Sequence, residues 1–172
     1  FTNIPTELRA RPQWVVWKYG KLKPNGKRAK LPINPQTGTA ASTTNPATWS
    51  TFQQARAVYQ AGRGYTGIGY VLTQDDAFTF IDLDNVIRHE ELDPGTVATV
   101  KGFASYTERS VSGTGIHIII EGTTPNRKNE RGEVYSHSRF IAVTGAIVAD
   151  QRTIEPRQDV LDAWTAETFP PL

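Results

Sequence analysis

The chain has 172 residues, no cysteine, no methionine and a formal net charge of +2, from 19 Lys and Arg against 17 Asp and Glu. That length favours a single domain spanning 1–172, and 38% hydrophobic with 10% aromatic residues supplies a real core and excludes a disordered tail. The missing cysteines exclude a disulfide scaffold, a thiol nucleophile and thiolate zinc sites; no apolar run nears the roughly 20 residues of a membrane helix and no signal peptide is visible, so a cytoplasmic chain without membrane partners is expected.

In chain order, Asn3–Leu8 reads as a short capped helical turn, and Gln13–Tyr19, rich in aromatic and β-branched residues, reads as a strand. Lys21–Asn34 is a basic hairpin or loop punctuated by Gly and Pro, with Lys30–Ile33 as a returning edge strand. The clearest helix opens at Asn45 as cap with Pro46 in its first position, and Gly62 stops it. Trp49, Phe52, Arg56 and Tyr59 recur along it at helical spacing, a stripe for the core. Gly67–Leu72 and Ala77–Asp84 are strands, Asp93–Pro94 starts a helix toward Gly102, and Ser105–Arg109 and Gly115–Glu121 are strands again. A polar stretch, Thr123–Gly132, carries Arg127, Lys128 and Arg131. Short strands at Glu133–Tyr135 and Arg139–Val143 precede a Thr144–Gly145 turn, and Glu155–Trp164 closes the chain as a helix. The pattern is α+β with a mostly antiparallel sheet.

The small net charge hides a partition. No acidic residue lies between Glu7 and Asp75, and that stretch is +10; from Asp75 onward 16 acids face 9 bases, a balance of −7. A one-signed block of this size attracts a polyanion, either a nucleic-acid backbone or a nucleotide polyphosphate.

Three clusters carry chemistry. In Phe78–Asp84 the alternation of a strand puts Asp82 and Asp84 on one side and Ile81 and Leu83 on the other. Paired carboxylates repel and raise each other's pKa unless a cation lies between them, and a hard divalent ion taking oxygen ligands, Mg²⁺ or Mn²⁺, suits them. In Ser110–Ile120, the Ser112-Gly113-Thr114-Gly115 turn offers backbone N–H groups to an anion, and His117 stands opposite Ile116 and Ile118, free to face a cleft. In Gly132–Gly145, Glu133 offers a third carboxylate, with Glu130 nearby, and Arg139 offers a guanidinium for a phosphate.

Together these clusters resemble the archaeo-eukaryotic primase superfamily, in the primase–polymerase branch of phages and plasmids. The resemblance rests on Ile81-Asp82-Leu83-Asp84, on Ser112-Gly113-Thr114-Gly115-Ile116-His117 as a long form of a Ser-x-His signature, and on Glu133 ahead of Ser138–Gly145. It extends to Trp14–Lys18, Lys30–Pro35 and Asn45–Trp49, most of the chain. It implies a primase–polymerase fold with a basic N-terminal αβ half at about 1–65, an RRM-like antiparallel catalytic half at about 66–150, and a C-terminal helix and tail at 151–172. A cleft between the halves is implied to hold template and nucleotide. The implied activity is template-directed nucleotidyl transfer by two metal ions on Asp82, Asp84 and Glu133. His117, Ser112, Gly113, Thr114, Gly115 and Arg139 are implied to bind the nucleotide, with His117 also in the catalytic group, and Lys27, Arg28 and Lys30 to bind DNA. Implied partners are single-stranded DNA template, primer, dNTP or NTP, and a helicase or helical accessory domain. Lacking that accessory domain, and opening on Phe1 as a trimmed piece would, the chain is expected to extend primers better than it starts them. Two other classes remain: a metal-dependent nuclease working with the same carboxylates, and a non-catalytic single-stranded-DNA-binding or replication-initiation module, in which the carboxylates are incidental and Phe78 and Phe80, on the face of Asp82, are the stacking aromatics.

Overall fold

The computed structural model describes residues 1–172, in two compact units: residues 6–71 with 138–143, and residues 1–5, 72–137 and 144–172.

The first unit is built on a sheet of order β11-β3-β1-β2, where β1 is Trp14–Leu22, β2 Arg28–Ile33, β3 Gly67–Leu72 and β11 Arg139–Val143. The first half of β1, Trp14 to Trp17, is buried on both faces, whereas its second half and most of β2 are exposed or partly so. The hairpin therefore starts in the core and ends in water. Trp14 is the anchor: its ring meets Phe52 and Tyr70 edge-on at 5.1 and 5.4 Å, and its indole N–H donates to the Leu8 carbonyl at 2.9 Å, which docks α1 (Thr6–Arg9). At Gly69 a Cβ would lie 2.6 Å from the Phe140 ring, so only glycine lets that ring cross β3.

The single helix expected from Asn45 to Gly62 is two elements. Asn45 caps one 3₁₀ turn, Pro46–Thr48, through its Oδ1 to the Ala47 amide. The chain then extends so that Ser50 bridges Trp14, exchanging N–H···O bonds of 3.0 and 2.8 Å. Thr51 caps α2, Phe52–Gln60, in a reciprocal box with Gln54. Trp49 and Phe52 are both buried as the stripe required, but Trp49 gets there from the extended link.

The second unit holds a five-stranded sheet of order β7-β8-β4-β10-β9: Thr107–Arg109, Ile116–Glu121, Phe78–Leu83, Gly132–Tyr135 and Arg127–Asn129. All four of its ladders are antiparallel. Ile81, Leu83, Ile116, Ile118, Ile120 and Val134 form one apolar face, packed with Val100 and Phe103 of α3 (Pro94–Phe103) and Leu161 of α4 (Gln158–Thr168). Strand β9 lies inside the polar stretch, where three charged or amide side chains in a row carry no alternation; it forms as the partner of β10. A two-residue hairpin, β5 (Ile87–Arg88) with β6 (Glu91–Leu92), also lacked a signal. The last helix runs Gln158–Thr168, later than the expected Glu155–Trp164, because Arg157 is not helical (φ −143°) and its guanidinium instead binds the Phe103 and Ala104 carbonyls. No helix is long and apolar enough to cross a membrane.

Candidate functional site

The face of the five-stranded sheet opposite the helices carries a row of polar residues, one per strand. Glu108 on β7 is paired with His117 on β8, His117 with Asp82 on β4, Asp82 with Glu133 on β10, and Glu133 with Lys128 on β9. Directly opposed residues share a face, so the five side chains form one line across the strands.

The line is built inward from Glu108, which is fully buried. Its Oε1 accepts from the Tyr106 hydroxyl at 2.8 Å and the Gly145 amide at 3.1 Å. Its Oε2 accepts from the Thr144 amide at 3.0 Å and faces His117 Nδ1 at 3.0 Å. A carboxylate only accepts, so Nδ1 carries the proton and donates, and the ring is held with Nε2 turned toward Asp82 Oδ1, 3.8 Å away. Burial, together with Glu108 beside it, holds the Tyr106 phenol protonated well above its ordinary range.

The acids follow. One ligand oxygen from each of Asp82, Asp84 and Glu133 lies within 4.8 Å of the others. Glu133 stands directly across from Asp82, whereas Glu130 sits in the exposed β9–β10 turn and is not in the cluster. Asp82 Oδ1 is buried with no hydrogen-bond partner. Burial pushes the Asp82 carboxyl up to about 6, against the pull of His117 and with the help of Asp84 and Glu133. Burial also pushes Glu133 up, but Lys128 Nζ at 3.0 Å and the Tyr135 hydroxyl at 2.8 Å outweigh it and hold its carboxyl below the ordinary value. Asp84, just past the end of β4, is exposed. An orphaned carboxylate oxygen beside two more acids is the arrangement a divalent cation relieves, and an all-oxygen donor set fits Mg²⁺ or Mn²⁺.

The Ser112–Gly115 turn lies against these acids. A Cβ on Gly115 would meet the Leu83 carbonyl at 2.8 Å and Asp84 Oδ1 at 3.3 Å, so glycine lets the turn close onto the end of β4. The turn spends two of its amides on itself: Gly113 N–H donates to the Ser110 carbonyl and Thr114 N–H to Ser112 Oγ. What it presents outward is a chain of exposed hydroxyls, Ser110, Ser112 and Thr114, at 3.0 and 3.1 Å spacing. Arg109 is paired with Glu90 at 3.0 Å.

Asp82, Asp84, Glu133, His117 and the Ser112–Gly115 turn thus belong to one unit, while Arg139, at the start of β11, and Lys27, Arg28 and Lys30, on and beside β2, belong to the other. Glu108, Tyr106 and Lys128 were missed by sequence reasoning. The signal for Glu108 was a charged residue at an inward position two strands from the acids, legible only once the register was known. A cavity of about 910 Å³ opens at the other end of the same sheet, lined by Asp76, Phe78, Glu121, Ser136 and His137, and contains none of the expected site residues.

No protein-family profile matches the chain. It is 36% identical over 148 residues to a "DNA Primase-polymerase" of Nitratiruptor phage NrS-1, an alignment that takes in 78% of this chain. The chain spans 19% of the length of that relative.

Proposed function

We propose a function from one premise: the chain is homologous to a segment of a phage DNA primase–polymerase. It is a primase–polymerase catalytic domain, a template-directed nucleotidyltransferase. The observation that carries this reading is the convergence of Asp82, Asp84 and Glu133, one ligand oxygen of each within 4.8 Å of the others, with Asp82 Oδ1 buried and without a hydrogen-bond partner.

In the reaction, a primer 3′-oxygen attacks the α-phosphorus of an incoming nucleotide, the new P–O bond forming as the bond to pyrophosphate breaks, and the hydroxyl proton passes to solvent. Asp82, Asp84 and Glu133 would hold Mg²⁺ or Mn²⁺, which would supply positive charge where negative charge develops during the transfer. Lys128 and Tyr135 orient Glu133 so that one of its oxygens is committed and its carboxyl stays ionised. His117, its ring fixed by Glu108, binds the nucleotide as the imidazolium, Nδ1–H donating to Glu108 and Nε2–H to a phosphate oxygen, and the Ser112 and Thr114 hydroxyls on the Gly113–Gly115 backbone bind the remaining phosphates. Arg139 serves the nucleotide, and Lys27, Arg28 and Lys30 serve the DNA backbone.

The test is extension of a primed single-stranded template with Mg²⁺ or Mn²⁺, run separately with dNTPs and NTPs, beside the Asp82→Ala/Asp84→Ala variant. Extension by the parent alone is the expected result. DNA binding that survives EDTA, with no extension by either protein, would replace this reading with a binding module; loss of labelled DNA ends without nucleotides would replace it with a nuclease.

A further inference from the structure

The outer half of the β1–β2 hairpin takes no part in the core and none in the acidic site, yet its composition is not that of an ordinary solvated loop. Tyr19 pairs directly with Lys30, and Trp17, two residues back on the same face of β1, pairs with Pro32. Trp17 is buried; Tyr19 stands against it edge-on, centroids 5.1 Å apart at 87°, with 40% of its surface exposed. Lys30 Nζ lies 5.7 Å from the Trp17 ring centre, on the strand position directly opposite Tyr19. Beyond them, Lys21, Lys23, Lys27 and Arg28 are exposed around a tip closed by Lys23 N–H to Lys27 O and Gly26 N–H to Lys23 O bonds of 2.8 and 2.9 Å. No carboxylate of the segment neutralises them, because residues 8–74 contain none.

An exposed phenol ring costs little conformational entropy to present when a buried indole already fixes it, and a flat ring flanked by uncompensated cations matches a ligand that is both polyanionic and π-faced. Duplex DNA hides its base faces inside the stack, and a lone nucleotide has too few phosphates for this many cations. Single-stranded DNA meets both requirements. We infer that Tyr19 is a stacking platform for one unpaired base of single-stranded DNA, with Lys21, Lys30 and the cations of the hairpin tip binding the phosphates on either side. The inference rests on the reading that this chain works on DNA, and adds to it the template contact that reads base faces without reading sequence.

The experiment measures binding of the whole chain, in EDTA and without nucleotide, to a fluorescent dT oligomer and to an abasic oligomer of the same length and charge. The parent binds the dT oligomer about 5- to 150-fold more tightly, the range expected for stacking of one base. Tyr19→Ala brings that ratio close to one while leaving the abasic affinity within about twofold; Tyr19→Phe and Tyr19→Trp keep the ratio. Lys21→Gln/Lys30→Gln weakens both oligomers alike and flattens the salt dependence. A Tyr19→Ala protein that keeps the parent's ratio overturns the inference, as does a parent with no preference for the dT oligomer. Primer extension by the parent separates the two readings: extension with an unchanged ratio in Tyr19→Ala sinks the platform alone, and a lost ratio without any extension sinks the polymerase alone.

Discussion

Asp82 is the residue at which folding and chemistry pull against each other. A carboxyl whose folded pKa, about 6, exceeds its unfolded value near 3.8 holds its proton more tightly in the folded state. Its contribution to stability is therefore fully present below about pH 4 and is lost as the pH rises through about 6. A cation that occupies the acids offsets the loss, so Mg²⁺ or Mn²⁺ is expected to raise the Tm more at pH 7.5 than at pH 5. Asp82→Asn is expected to raise the metal-free Tm at pH 7.5 and to abolish the metal response; thermal melts of both proteins at both pH values check this. Glu108 makes the complementary prediction. Glu108→Ala strands the Thr144 and Gly145 amides and the Tyr106 hydroxyl, at a cost of about 2–4 kcal/mol in urea unfolding. Glu108→Gln keeps an acceptor and costs less, yet turns an amide toward His117 Nδ1 and so disturbs Nε2. It is expected to raise the nucleotide KM at least tenfold while the DNA affinity stays put.

At the scale of elements, the strands that carry the acids announced themselves because their alternation is clean. Phe78–Asp84 and Gly115–Glu121 place Asp82 and His117 opposite their isoleucines, and the structure keeps them there. The helix at Asn45–Gly62 read as one because two capping signals, Asn45 and Thr51, fall within a single helical stripe, and nothing local says that Ser50 must pair with Trp14, 36 residues earlier. Strand β9 was illegible for a related reason: Arg127, Lys128 and Asn129 have no strand pattern of their own and take it from β10. Glu108 was missed because its partners, Thr144 and Gly145, come from 36 and 37 residues away. Close approach of the backbone is the one long-range fact that a single residue reveals. At Gly69 an alanine would push the Phe140 ring and crowd the Ile141 carbonyl at 3.2 Å. Gly69→Ala is expected to cost about 1–3 kcal/mol by urea denaturation, with Phe140→Ala in the same chain recovering part of the loss.

For the whole molecule, the partition of charge along the sequence is also a partition between structural units: the basic residues 8–74 fall almost wholly in the unit of residues 6–71 and 138–143, and the acidic cluster lies in the other. Nucleic-acid affinity and metal affinity should then be separable by mutation. Lys27→Gln/Arg28→Gln/Lys30→Gln is expected to lower the slope of log affinity for single-stranded DNA against log salt by about 2, from roughly 0.7 per phosphate contact, and to leave the metal-induced rise in Tm intact. The Asp82→Ala/Asp84→Ala protein is expected to do the reverse. The row from Glu108 to Lys128 has a bearing on how such a chain reaches its native state. It takes one residue from each of five strands, so a slip of one position in any of the four ladders would drive a charged or imidazole side chain into the isoleucine-lined face beneath α3 and α4. The wrong pairing is penalised by an ion stranded in hydrocarbon, and the right one assembles the acids, so the polar row also proofreads the sheet.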